Sequence, residues 1–231
     1  AGQWFHWAVV YNGNNGTNAD RLKIYINGSQ QTLNFYATTI PSITQNMGTD
    51  PFRIGSVLDA CAGCPGDRDW NGLIDEVAVY NTALSASTIA DHYATYVSSG
   101  TYESQTIDLI QKSNFNTLNF TSTINAYPAT SSLVSYWKMD GNFNDSYGGN
   151  NGTAVGGAVA TGVANWGSNS GSFNGTDGYA SVADNPSLTL GTNFTIELWA
   201  NFSDVSGEKI FMGHDEGGGY VNKWIFWKRG A

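Results

Sequence analysis

Charge is scarce in this chain. Only 13% of its 231 residues are Asp, Glu, Lys or Arg, about half the share usual in a globular domain. The ten Lys and Arg are scattered. Neutralising phosphates needs a cluster of them, so nucleic acid is not an expected partner, and neither is an anionic membrane surface. No apolar run approaches the roughly 20 residues that span a bilayer, which argues against membrane insertion. No signal peptide is visible. The chain begins in mid-pattern at Ala1-Gly2-Gln3-Trp4 without an initiator Met, and it reads as an excerpt of a longer protein.

Cysteine and histidine are equally sparse. Cys61 and Cys64 stand alone in Cys-Ala-Gly-Cys-Pro-Gly. A structural zinc site needs about four ligands, and no second pair or nearby His exists. A redox motif of this spacing should open a helix in a βαβ unit, and no such pattern is present. A small disulfide pinching a surface loop is the expected reading, suited to an oxidising compartment; a reduced pair in a loop is the alternative. His6, His92 and His214 are scattered and lack a Ser or Cys nucleophile signature.

What fills the chain instead is Gly, Asn, Ser and Thr around short apolar runs, with 41% hydrophobic and 13% aromatic residues. This is the look of an extracellular β protein rich in turns. WFHWAVVY (Trp4–Tyr11) ends at Asn12-Gly13, a turn signal. Leu22, Ile24 and Ile26 alternate with Arg21, Lys23 and Tyr25 before Asn27-Gly28, the pattern of a half-buried strand and a tight turn. In the run Asn71–Tyr80, strict alternation places Leu73, Asp75, Val77 and Val79 on one face. A carboxylate there needs a partner. Ser85 has the character of an N-cap for one short helix carrying Ile89 and Tyr93. Residues 98–132 form a polar connector with two strand-like pieces, Tyr102–Ile110 and Thr117–Ile124, that fit a hairpin. Further strands are expected around Leu133–Trp137, Tyr179–Val182, Phe194–Leu198, Lys209–Met212 and Trp224–Trp227. Strands at this spacing with a single helix predict an antiparallel sandwich or jelly roll.

The motifs GQWFHWAVVYNG, LKIYINGS, FRIGS and NGLIDEVAVYNTALSASTIADHYA resemble consecutive closing landmarks of the laminin G-like, concanavalin A-like lectin/glucanase superfamily. LVSYWKMDGNFNDSYGGNNGT, GSFNGTDGYASVAD and NFTIELWANFSD resemble its opening landmarks. The halves therefore stand in permuted order. Residues 1–97 read as the closing half of one such sandwich and 133–231 as the opening half of another, either from two tandem repeats or from a circular permutant. In the family pattern one or two more strands would lie between Trp224–Arg229 and the GQWFHW strand. Leaving either apolar sheet face bare is unfavourable at about 25 cal/mol per Å2, so the halves are expected to pack as one composite sandwich. The resemblance implies an all-β, two-sheet jelly roll, often holding a structural calcium ion. It also implies arrays of neighbouring repeats in secreted or surface-attached bacterial proteins, and a role as a carbohydrate-binding or adhesive module.

Calcium is the cofactor best matched to the residues. The net charge is −9, and carboxylates sit in Asn- and Gly-rich loops where backbone carbonyls can complete a shell of 6–8 oxygens. Asp145, Asp75 and Asn150 are the candidate ligands, if the halves are neighbours. The competing reading is that Asp145 caps a turn and Asp75 accepts backbone hydrogen bonds. Asp140-x-Asn142-x-Asn144 is not an EF-hand, because Asp145 and Asn151 occupy the positions of the required Gly and Glu. The loop aromatics Trp70, Trp166, Tyr179, Tyr220 and Trp224 are candidates to stack on a sugar ring, while Trp7, Trp137 and Trp199 are expected in the core. Catalysis is not expected. Relatives that hydrolyse β-glucans carry Glu-x-Asp-x-x-Glu, and no Glu-x-Asp occurs here; retaining hydrolysis needs two carboxyls about 5–5.5 Å apart. The expected partner is a glycan or cell-surface polysaccharide. The alternatives are a spacer repeat without glycan affinity and an accessory domain of a secreted glycoside hydrolase.

Overall fold

The computed structural model describes residues 2–35, 39–44, 50–57, 68–97, 131–215 and 224–228. Cys61, Cys64 and Tyr220, with residues 98–130 of the connector, lie outside the described residues.

The aromatic and β-branched runs form strands. In order these are β1 (Trp4–Asn12), β2 (Leu22–Ile26), β3 (Ser29–Gln30), β4 (Phe52–Ile54), β5 (Asn71–Tyr80), β6 (Leu133–Trp137), β7 (Gly152–Val155), β8 (Val159–Gly162), β9 (Ser170–Asn174), β10 (Tyr179–Val182), β11 (Asn193–Phe202), β12 (Lys209–His214) and β13 (Trp224–Lys228). Among the described residues there are two α-helices, a single turn α1 (Asn18–Arg21) and the longer α2 (Ala86–Val97), and a 3-10 turn at Pro186–Leu188. The strands make two antiparallel sheets. One runs β3-β2-β1-β11-β5-β9-β8, with β6 also on β5; the other runs β13-β12-β4-β10-β7. This is the jelly-roll sandwich class read from the sequence. Both sheets draw strands from both ends of the chain. β11 lies between β1 and β5 with Val9 opposite Ile196 and Ile196 opposite Val79, and β4 lies between β12 and β10.

The core lies between the sheets. Val9 and Tyr11 of β1, Ile196 and Leu198 of β11 and Ile74, Val77 and Val79 of β5 meet Phe52, Ile54, Ala180, Val182, Phe211 and Met212 from the other sheet. Each fully buried side chain of this size contributes about 1.5–3 kcal/mol, so the aromatic and β-branched alternation is what drives the two layers together.

One departure from strict alternation matters for the site. Ile74, Val77 and Val79 face the core, so the parity of β5 changes between positions 74 and 77. The expected row Leu73, Asp75, Val77 and Val79 is therefore not one face. The cause is a bulge opposite the Glu197–Trp199 step, with Glu76 at a φ of 52°; an extra residue in one strand resets every later side chain. Asp75 and Glu76 are both fully buried there. Gly72 starts this irregular stretch at a φ of 141°, and a Cβ on it would stand 2.2 Å from the Asn201 carbonyl oxygen, so only glycine fits.

Helix α2 covers the outer face of the larger sheet. Ile89 packs on Ala8, Val10 and Tyr25. Ser85 caps it, its Oγ accepting the Thr88 N–H at 3.1 Å, as the sequence pattern predicts.

Candidate functional site

A loop between β8 and β9, residues 163–169, carries the most exposed described aromatic candidate. Trp166 is 49% exposed. Two carboxylates from distant parts of the chain hold this loop by its backbone. Asp75 Oδ2 accepts the N–H groups of Asn165 (2.9 Å) and Trp166 (3.2 Å), while its Oδ1 accepts the Glu76 N–H at 3.0 Å. Asp140 Oδ1 accepts the Ser168 N–H (2.6 Å), the Ser168 hydroxyl (3.0 Å) and the Asn169 N–H (2.9 Å). Between them Gly167 adopts a φ of 71°, and a Cβ there would stand 2.6 Å from both Asp140 carboxylate oxygens. Glycine is what lets the loop close on Asp140.

The two carboxyls differ in character. Burial raises the Asp75 pKa to about 8, reinforced by the neighbouring Glu76 charge and opposed by the three backbone N–H bonds. Asp140 is more exposed. Its slight burial pushes it upward, but the Asn169 and Ser168 hydrogen bonds outweigh that and hold it below the usual carboxylate range.

The trio named for calcium is not assembled as one shell. Asp145 Oδ1 accepts the N–H groups of Tyr136 (2.8 Å), Tyr147 (2.9 Å) and Gly148 (3.0 Å), and Oδ2 accepts that of Asn150 (2.9 Å). Asn150 gives its side-chain NH2 to Ser135 Oγ (2.7 Å) and Ser187 Oγ (3.0 Å), and its carbonyl accepts the Trp137 indole N–H at 2.8 Å. Asp75 shares none of these partners. Both acids use their oxygens to accept backbone N–H groups. The Asn150 Oδ1 is buried without a hydrogen-bond partner, but one amide oxygen falls far short of a calcium shell. Among the described residues no group of three His, Cys, Asp or Glu is arranged to hold a metal. Asp145 is a turn-forming residue here, the competing reading of the sequence.

The remaining aromatic candidates are dispersed. Trp70 is fully buried, 4.5 Å from the Phe202 ring and 4.6 Å from Phe211, so no sugar can reach its face. The expectation for Trp70 is corrected: it follows a loop in sequence, yet its N–H bonds the Gly55 carbonyl at 2.8 Å and draws the ring inside. Tyr179 lies on β10 under the Arg53 guanidinium at 4.3 Å. Trp224, on β13, packs against Phe52 and Phe194 and lines an apolar groove of about 370 Å3 with Leu22, Ile24 and Ile196. β12 and β4 separate those two aromatics, so they do not form one platform. Trp137 and Trp199 are buried and Trp7 packs partly buried on the core.

Two polar features escape a sequence reading. One is Asp140, whose partners lie 28 and 29 residues away. The other is a buried cluster beneath α2. Glu197 is fully buried, with His92 Nδ1 at 2.7 Å from Oε2 and His6 Nε2 at 3.9 Å from Oε1. Burial raises Glu197 against the opposing His92 hydrogen bond. Burial, then the His92 charge, drives His6 down to about 3, so His6 stays neutral. The cluster ties α2 to the sheet. The outward parity of Thr195, Glu197 and Trp199 is visible in the sequence, but not that a helix covers it. His214 ends β12, buried, with Nε2 2.9 Å from the Asp50 carbonyl oxygen.

A family model described as Concanavalin A-like lectin/glucanases superfamily matches residues 1–90. No curated protein and no solved structure matches the chain. No helix among the described residues is long and apolar enough to cross a membrane. The resemblance to the laminin G-like, concanavalin A-like superfamily thus holds over residues 1–90, and these residues share their two antiparallel sheets with the strands that follow them.

Proposed function

We propose that this chain is a non-catalytic, extracellular carbohydrate-binding or adhesion module whose contact surface is built around Trp166. The observation that carries the reading is an aromatic side chain left 49% exposed on a loop whose backbone is fixed at both ends by inward-facing carboxylates. An indole face offers large apolar area at little conformational cost, and the nearby positions Asn165, Ser168 and Asn169 carry neutral hydrogen-bonding side chains. Membership of a lectin/glucanase superfamily over residues 1–90 supports binding, and the burial of Asp75 and Glu76 removes the adjacent acidic pair of β5 from any cleft.

Structural calcium is a separable part of the proposal. It rests on the resemblance and on the net charge of −9. Secretion or surface display, in an array with similar repeats, belongs to the same reading and rests on the resemblance too.

A glycan array probed with the full chain in calcium and again in chelator tests both parts. Binding to at least one glycan class that disappears in Trp166→Ala is expected. No binding in either buffer would contradict the carbohydrate reading and favour the spacer repeat. Calcium-dependent melting measured alongside decides the ion: an unchanged melting temperature in chelator removes calcium from the account.

A further inference from the structure

We infer that the Trp166 loop is a pre-ordered platform for uncharged glycans, with Asp140 and Asp75 as its positioning residues. The inference rests on the carbohydrate reading above and adds which sugars are taken and what holds the contact surface ready.

The loop is ordered before any ligand arrives. A seven-residue loop bearing a glycine and an exposed indole would ordinarily sample many conformations, and immobilising it on binding would weaken affinity. Here four backbone N–H groups, those of Asn165, Trp166, Ser168 and Asn169, are already committed to carboxylates. The anchors come from β5 and from the turn after β6, so the loop is fixed to the body of the sandwich rather than to itself. Hydrogen bonds to a charged acceptor, here the Asp140 carboxylate, are stronger than neutral ones, about 1.5–3 kcal/mol against about 1; Asp75, whose carboxyl burial keeps protonated, holds Asn165 and Trp166 as a neutral acceptor. The Ser170 hydroxyl adds a bond to the Val163 carbonyl at 3.0 Å, closing the loop at its base.

Residues 146–176 contain no charged side chain. Both acids near the loop are spent inward on its backbone. Lys138, outside the loop, lowers the Asp140 pKa through its charge, and its exposed ammonium lies 5.8 Å from the Tyr136 ring centroid. An anionic sugar carrying carboxylate or sulfate would find no unpaired cation on this loop and would approach a chain of net charge −9. A desolvated anion without a partner is strongly disfavoured. What the loop offers, an exposed indole and the neutral amide side chains of Asn165 and Asn169 close by in sequence, matches the C–H face and hydroxyls of a neutral pyranose.

The test uses the full chain and four variants, Trp166→Ala, Asp140→Ala, Asp140→Asn and Asp75→Asn, against neutral and anionic oligosaccharides at matched length. Calorimetry should give binding to a neutral oligosaccharide, lost at least tenfold in Trp166→Ala. Asp140→Ala should weaken it about three- to tenfold through a less favourable entropy, with Ser168 and Asn169 amide exchange accelerated in the free chain. Asp140→Asn, whose Oδ1 still accepts both N–H groups, should restore most of the affinity and protection. A role in overall stability alone would lower the melting temperature without changing binding entropy or local exchange. If Trp166→Ala binds as the parent does, the carbohydrate reading at this loop fails. If Trp166→Ala abolishes binding while Asp140→Ala leaves both entropy and local exchange unchanged, the positioning claim fails by itself. Preferential binding of anionic glycans at physiological salt overturns the ligand class.

Discussion

The Asp75→Asn substitution has a consequence whose sign changes with pH. Asp75 is fully buried, and its pKa is raised from 3.8 to about 8 by burial and by Glu76. The folded state therefore keeps a proton that the unfolded chain has already released above about pH 4. Stability contributed by this group is complete below its unfolded pKa and falls as pH rises toward about 8, by roughly 1.4 kcal/mol per pH unit. Across that window the loss is at most on the order of 5 kcal/mol, an upper bound because three backbone N–H donors favour the carboxylate. Asparagine does not titrate. It offers one oxygen where Asp75 uses two, so it leaves at least one of the Glu76, Asn165 and Trp166 N–H groups unpaired, at about 1–3 kcal/mol, at every pH. Urea unfolding of both proteins from about pH 4.5 to about pH 8.5, taken as the difference between them, cancels the other titrating groups they share. The parent should be the more stable protein at the acid end, the advantage should shrink steadily, and the two should cross between about pH 5 and about pH 6. A difference that stays flat, or that grows in favour of the parent with rising pH, would refute the claim that Asp75 is held protonated in the fold.

Trp70→Ala should destabilise the chain by about 3–5 kcal/mol, since the indole is buried between Phe202 and Phe211 and its removal leaves a cavity; a change under about 1 kcal/mol in the same unfolding assay would place the ring at the surface after all. Gly72→Ala should cost more than about 2 kcal/mol, because both the φ of 141° and the 2.2 Å approach to the Asn201 oxygen must be relieved; near-neutral melting would show that the β5 bulge is not fixed. His92→Ala should cost about 3 kcal/mol by leaving the buried Glu197 carboxyl with Tyr80 but without its imidazole partner, and Glu197→Gln in that background should recover part of it. Additive effects in the four-protein cycle would mean that the 2.7 Å contact carries no coupling energy.

Much of the architecture was legible because period-two alternation is a direct consequence of a sheet with one buried face. β1, β2 and β11 follow from it, and so does the need for two apolar faces to meet; the helix follows from Ser85 as its N-cap and the spacing of Ile89 and Tyr93. The jelly-roll class came from the order of several motifs together. What alternation does not reveal is where parity breaks. The bulge at Asp75 and Glu76 depends on the partner strand β11, and a strand read alone gives no sign that its register shifts. The site was legible only in part. Trp166 was among the candidates on its loop position, but the same reasoning also named Trp70, which local backbone pairing pulls into the core. The need of Asp75 for a partner is readable from its strand position; which backbone N–H groups meet it depends on contacts 90 and 91 residues apart. Asp140 and the Glu197–His92 pair depend on equally distant contacts, invisible to any pattern of spacing.

The central claim is that the Trp166 loop is the glycan-contacting surface. The most direct test is an NMR titration of the isotopically labelled full chain with a neutral oligosaccharide selected on the array, following the indole and backbone N–H signals. The account predicts that the Trp166 indole and the amides of Asn165, Ser168 and Asn169 shift together with a single saturating curve while those lining the Trp224 groove stay in place. Shifts confined to the groove around Trp224, or to the Tyr179 face of β10, with the Trp166 signals unmoved at saturation, would contradict it.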